Sequence, residues 1–295
     1  MREPNNTTTA VKCVVTLLLV SVSSLTGVTQ AQVQPIEATP LAQAFADLRS
    51  GDPNRTNKWT HGDQLAVLLE KELPTIEKDT ATICGALLDS DPNFRLKASA
   101  ILTTIVIAAP EHNSVVQACF PNLIKAASDP VDPDSSKVLP FPPEQTRNNS
   151  LFALAMNPAG PPPAAHDVFV ASLQSSNFRT QECGISGLLR ENTNQEANQK
   201  LVLQTLDSAH DTKHRFNTLY SITGAGVRSN ILFEGVQKYL FDSDDDVQTE
   251  AINAVAATGK DHATAASVIQ GVADSPTATK EQKLRARMAL GTTPQ

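Results

Sequence analysis

Apolar residues along this chain recur at helical spacing, and each run is introduced by the same short polar phrase. Asp89-Ser90-Asp91-Pro92-Asn93-Phe94-Arg95 leads into Ala98, Ile101, Leu102 and Ile105. Ser175-Ser176-Asn177-Phe178-Arg179 leads into Ile185, Leu188 and Leu189, and Asp242-Ser243-Asp244-Asp245-Asp246-Val247-Gln248 into Ala251, Ala254 and Val255. Val247, Ala251, Ala254, Val255 and Thr258 fall at i, i+4, i+7, i+8 and i+11. That is one helical face of small residues, which lets helices approach closely. The starts are chemically marked. Asp91 is a predicted N-cap with Pro92 at the first helical position, where its missing N–H costs nothing. Ser275-Pro276 repeats the device, and Asp246 is the cap expected before Val247.

A second set of helices alternates with the first. Val115, Val116, Cys119, Leu123 and Ala127 predict one, and Val168, Phe169 and Leu173 another. Ala197, Leu201, Leu203 and Leu206 follow, then Ile231, Leu232, Val236 and Leu240, and last Ala265, Val268, Ile269 and Val272. Breakers separate them at Asn157–Pro163, Gly224-Ala225-Gly226 and Thr258-Gly259-Lys260, and no strand-like alternation flanked by hairpin dipeptides competes. Ahead of the repeats, Leu41, Phe45 and Leu48 predict a short helix, and Ser50 to Asn57 reads as a loop.

Arg95, Arg147, Arg179, Arg215 and Gln248 mark comparable points at intervals of 52, 32, 36 and 33 residues. A recurring unit of this length means a helical solenoid. The first interval is long because of an insertion at 128–143, where Pro130, Pro133, Pro140, Pro142 and Pro143 exclude a regular helix. Both a functional loop and a tolerated surface loop fit that segment.

The unit of an acidic turn, a Val or Phe, an Arg, then Ala and Leu at helical spacing resembles HEAT repeats. The match is to the bacterial HEAT-like type related to armadillo and phycobilisome-lyase (PBS-lyase) repeats. Asn177-Phe178-Arg179 and Asp246 to Val255 carry it best, with Gln248 in place of the Arg, and it covers 61–291. The resemblance implies an all-α fold, a right-handed α-α superhelix of about six or seven helix pairs. It further implies a surface for protein partners and no chemistry.

The ends and totals refine this. Arg2 and Lys12 precede an uncharged apolar stretch from Val14 to Leu25, and Thr29-Gln30-Ala31 offers small residues for a peptidase. A signal peptide over 1–31, cleaved after Ala31, is therefore expected. The alternative, a membrane anchor, needs roughly 20 apolar residues, more than this stretch supplies. Residues 32–60 then read as an N-terminal lead, partly disordered. Losing Arg2, Lys12 and Glu3 from 24 basic and 31 acidic residues leaves 22 and 30, a net of −8. Such acidity argues against nucleic acid, which demands a basic stripe, and against insertion of the cleaved chain into a membrane.

The cleaved chain keeps Cys84, Cys119 and Cys183. An odd count in an exported protein allows one disulfide and one free thiol. Cys84 and Cys119 are 35 residues apart, about one repeat, so a bridge between neighbouring helices is one reading and three buried thiols the other.

Three constellations evoke chemistry. His210-Asp211-Thr212-Lys213-His214 resembles a zinc-protease H-E-x-x-H with Asp for Glu, but a third ligand is not evident and Asp211 is better used as a cap. Asp242, Asp244 and Asp246 mimic the start of a calcium loop, but Val247 and Asn253 stand where its Gly and Glu belong. Gly184-Ile185-Ser186-Gly187 would need Gly at Leu188 and a preceding strand to form a nucleophile elbow. Trp59, Tyr220 and Tyr239 are too few for a stacking platform, and Trp59 is expected to pack on the first helix pair. The sequence thus predicts a periplasmic or secreted protein–protein interaction scaffold with no catalytic residue, cofactor or metal. The contact residues expected are exposed polar positions of the second helix set, such as Gln117, Asn198 and Gln237. The rival reading is a metal-dependent hydrolase or lyase on the same solenoid.

Overall fold

A computed structural model describes residues 39–49, 73–129 and 144–291. The expected signal peptide, Trp59 and residues 130–143 of the expected insertion lie outside them. Among the described residues there are fourteen α-helices and no strand. They are α1 (Pro40–Arg49), α2 (Thr80–Ala86), α3 (Pro92–Ala108), α4 (Asn113–Ala118), α5 (Phe120–Ser128), α6 (Gln145–Ala155) and α7 (His166–Ser172). Then follow α8 (Phe178–Arg190), α9 (Gln195–Asp207), α10 (Thr212–Ala225), α11 (Asn230–Val236), α12 (Asp245–Thr258), α13 (His262–Asp274) and α14 (Lys280–Ala289).

The acidic phrase lies at the tip of a helical hairpin. Each helix before it packs on the helix after it, giving α2/α3, α4–α5/α6, α7/α8, α9/α10, α11/α12 and α13/α14. These six hairpins stack into an α-solenoid of the HEAT/armadillo-like kind. The second helices, α3, α6, α8, α10 and α12, pack on one another in an unbroken row that α14 extends, whereas the first helices touch their counterparts sparsely. The closely packed row is therefore the inner side of the stack's curve. A continuous core runs between the two rows, with Phe94, Ile105, Leu123, Leu154, Phe169, Leu188 and Val255 all buried.

The caps fix where each inner helix begins. Asp91 accepts from Asn93 N (2.9 Å), Asn177 from Arg179 N and Thr180 N, and Asp211 from His214 N (2.8 Å). For α12 the cap is Asp244, which accepts from Asp246 N (3.0 Å) and Val247 N (3.1 Å). Asp246, the expected cap, is already inside the first turn. Ser275-Pro276 likewise precedes the helix; α14 starts after Thr279, which forms a reciprocal capping box with Gln282. These corrections move the repeat register. Four residues after the caps stand Arg95, Asn148, Gln181, Arg215, Gln248 and Lys283, so Arg147 and Arg179 are not equivalents of Arg95. Gln181 and Gln248 each donate to the carbonyl eight residues back, Leu173 (3.2 Å) and Leu240 (3.0 Å). Arg95 donates to the Asp89 and Ser90 carbonyls. At Arg95, Gln181 and Gln248 the long donor pins its own hairpin loop, whereas Arg215 reaches forward to Asp242 of the next hairpin.

Two expected helices differ in detail. The run from Val115 to Ala127 breaks at Cys119 into α4 and α5, because Pro121 has no N–H to continue the ladder. On α9, Ala197 is exposed while Asn198 and Gln199 are buried with Val202 and Leu206. Burial of Asn198 is accommodated by its side-chain NH2, which is paired. It donates to Leu188 O (3.0 Å), Glu191 Oε2 (3.1 Å) and Thr193 O (3.3 Å), and buried polar groups are tolerated when so paired.

Candidate functional site

The inner row carries a cavity of about 370 Å³ that crosses four consecutive second helices. Thr103 and Ile107 come from α3, Asn148, Asn149, Phe152 and Met156 from α6 and its end, Arg179, Glu182 and Ser186 from α8, and Gly224 from α10. Repetition explains the placement: each second helix turns one side to the core, leaving the opposite side to line the curve.

The floor is apolar. Ile107 is 66% exposed, although large aliphatic side chains are normally withdrawn from water. Phe152 and Met156 are half-buried beside it, and Arg190 Nη1 donates to Met156 Sδ (3.6 Å). Over this floor lies an array of amides. Gln145 Nε2 donates to Asn149 Oδ1 (2.8 Å), Asn149 Nδ2 to Ser99 Oγ (3.2 Å), and Thr180 Oγ1 to Asn148 Oδ1 (2.6 Å). These bonds fix the amides, whose residues Gln145, Asn148 and Asn149 all line the cavity.

Arg179 and Glu182 pair with each other (2.8 Å). Burial pushes the Cys183 thiol up to about 12, so it stays protonated. Only the thiolate is a good nucleophile. At the edge, Phe178, Phe216 and Tyr220 gather, with ring centroids 6.3 Å (Phe178–Tyr220) and 6.2 Å (Phe216–Tyr220) apart. The Arg179 guanidinium lies over the Phe178 ring, 5.8 Å from its centroid. Counting tyrosine and tryptophan alone missed this cluster; Phe216 and Tyr220 at i, i+4 were the available signal.

The residues singled out from sequence fall elsewhere. Cys84 and Cys119 are joined as a disulfide, Cα–Cα 5.0 Å, linking α2 to the α4–α5 junction. Among the described residues Cys183 is the free cysteine, and it is buried. Gly184 and Gly187 are where α8 meets α7: a Cβ at Gly187 would stand 2.5 Å from the Phe169 ring. Ser186 sits in the middle of α8 and lines the inner cavity, with no strand before it to form a nucleophile elbow. Asp242 binds Arg215 (Oδ2 to Nε, 3.0 Å) and accepts from Asp244 N (2.9 Å). With Asp244 capping α12, the two are engaged in structure. His210, Asp211 and His214 line a separate cavity at the hairpin tips. Of the expected contact residues on the first helices, Gln117 is exposed, Gln237 is half-buried and Asn198 is buried. They sit on the outer row, away from the inner cavity.

No family model matches the sequence, and no curated protein matches it. Solved structures to which the chain is similar include a designed armadillo repeat protein in complex with the peptide (KR)4. It is 16% identical over 72% of this chain and 98% of that one, with a TM-score of 0.44. A second designed armadillo repeat protein covers 72% of this chain and 99% of its own at 16% identity and TM-score 0.43. An engineered protein does so at 17% identity, 72% and 96% coverage and TM-score 0.45.

Proposed function

We propose that the protein is a non-catalytic interaction scaffold of the periplasm or extracellular space, and that its inner groove holds an extended segment of a protein or peptide partner. The observation that carries this reading is a cavity running across α3, α6, α8 and α10, in which the hydrogen-bonded α6 amides of Asn148 and Asn149 lie beside apolar Ile107, Phe152 and Met156. An extended backbone offers donors and acceptors in alternation, which amides match on both counts, while alternate side chains enter the apolar floor. A rigid, preformed surface of this kind loses little entropy on binding. Burial holds the cavity's Cys183 thiol protonated, which favours binding over thiol chemistry there. The location is supported by residues 1–31 and by the Cys84–Cys119 disulfide, since disulfides persist in oxidising compartments.

Gly224 supplies the test. It lines the cavity, and a Cβ there meets nothing within 4 Å. Gly224→Trp therefore fills the groove from a helix that tolerates the change. The immobilised chain should retain a defined partner from the producing cell's envelope fraction, and Gly224→Trp should lose it. Equal retention by both forms would remove the inner groove from consideration.

A further inference from the structure

The row of second helices does not stop at the cavity, and its far end has a chemistry of its own. Among the described residues five large hydrophobic side chains are exposed, and four of them, Ile107, Tyr220, Leu284 and Met288, belong to second helices. Leu284 and Met288 stand five and nine residues after the α14 cap, Thr279. On α8 those two places hold Glu182 and Ser186, which line the cavity, and on α10 they hold Phe216 and Tyr220. On α12 they hold Thr249 and Asn253, both exposed although α14 packs beyond them. The end of the stack is therefore not what uncovers Leu284 and Met288. They continue the inner surface, and aligned exposed apolar groups mark an interaction site.

Charge at this end follows the same register. Helix α14 carries Lys280, Lys283, Arg285 and Arg287 against the one acid Glu281, in a chain whose formal net charge is −7. Arg285 is engaged, with Gln248 Oε1 (2.7 Å) and with the Asp245 carboxylate. Lys280, Lys283 and Arg287 stand one, four and eight residues after the cap, the places from which α6 brings Gln145, Asn148 and Phe152 to the cavity. Cations thus flank Leu284 on the side of the curve. Packed helices lie about 8–10 Å apart, so the α10 aromatics and Leu284 are separated by roughly 16–20 Å. An extended chain covers that in about six residues, and an even spacing returns its side chain to the same face.

We infer that α10, α12 and α14 form a second half of the inner groove, which takes an extended acidic segment with two large apolar residues about six positions apart. The inference rests on reading the inner groove as a binding surface. One apolar residue meets Phe216 and Tyr220, the other meets Leu284 and Met288, and the carboxylates face the α14 cations.

Selection of a random dodecapeptide phage library on the immobilised chain tests this. The enriched peptides should be rich in Asp and Glu, with large apolar residues about six positions apart, and added salt should weaken their retention. Both changes in Lys280→Glu/Lys283→Glu fall in the first turn of α14, where the helix dipole favours acids, so the fold is kept. That variant should hold the enriched peptides about tenfold less well, because like charges then meet. It should hold the same peptides better once lysine replaces their acids. Leu284→Ser, at an exposed position, should also weaken retention about tenfold through the lost apolar contact. No enrichment, a neutral or basic enriched pool, or equal retention by Lys280→Glu/Lys283→Glu overturns the acidic docking surface. If Gly224→Trp still loses the captured partner, that result leaves the groove reading standing and strikes this inference alone. Acidic peptides that depend on Lys280, Lys283 and Leu284, with capture indifferent to Gly224→Trp, support this end of the surface and strike the α3–α8 part instead.

Discussion

Glu191 Oε2 stands 2.8 Å from His166 Nδ1, and this contact is the centre of a buried polar knot between two hairpins. Thr193 Oγ1 donates to Glu191 Oε1 (2.6 Å) and Asn198 Nδ2 to Oε2 (3.1 Å), while the Glu191 side chain is only 2% exposed. His166 opens α7, Glu191 ends α8 and Asn198 lies on α9. One carboxylate thus ties three successive helices.

That carboxylate predicts an acid sensitivity. Burial raises its pKa, but the hydrogen bonds from Thr193, His166 and Asn198 outweigh burial, and the net shift is downward. A depressed carboxylate contributes its full stability above its ordinary value of 4.5 and loses it as pH falls through the lower folded value. Glu191→Gln should cost about 1–3 kcal/mol at pH 7, the range for a disrupted buried hydrogen-bonded group. The gap to the unsubstituted chain should close below pH 4.5. Urea midpoints measured at both pH values check this, and a gap that stays constant would exclude the mechanism.

The glycines of α8 and α10 should respond in opposite directions. At Gly184 a Cβ would stand 2.8 Å from the Phe169 carbonyl and Ser172 Cβ, and at Gly187 it would meet the Phe169 ring at 2.5 Å. Alanine at either forces α7 and α8 apart, at about 1–3 kcal/mol each for overpacking. Gly224 is helical with open space, so Gly224→Ala should stabilise by about 0.5–1 kcal/mol through helix propensity. Thermal melts of the three variants give the comparison directly.

The caps show how far the sequence could be read. Helical periodicity made the hairpins, the core face of α12 and the cap at Asp91 legible, because apolar spacing and a Pro after an Asp are local signals. Choosing among Asp242, Asp244, Asp245 and Asp246 was not local. Asp242 is taken by Arg215 of the preceding hairpin, 27 residues away, which removes it as a candidate, and Asp244 is the residue that accepts from Asp246 N and Val247 N. The inner groove was illegible for a similar reason. Which row curves inward depends on how hairpins stack, and the alternation of helices is the same either way. Asp244→Ala should therefore cost about 1 kcal/mol, as lost caps do. Asp246→Ala should change stability by less than about 0.5 kcal/mol. Equal effects from the two would place the cap elsewhere.

Thiol chemistry offers a last prediction, and it reports on two features together. Cys84 and Cys119 enclose a 35-residue separation, and in the chain-entropy model a loop of that size stabilises by about 4 kcal/mol. The Cys84→Ala/Cys119→Ala variant should melt correspondingly earlier. Cys183 is buried, and its thiol is pushed up to about 12, so a native chain should react slowly with a disulfide reagent such as Ellman's. Unfolding without reductant exposes it. A chain cleaved after Ala31 then has one reactive thiol, because Cys13 has been removed with the leader and the bridged pair is silent. An uncleaved chain has two, and a cleaved chain with the bridge open has three. A count of one therefore requires both the disulfide and the cleavage, and either alternative count identifies which of the two is missing.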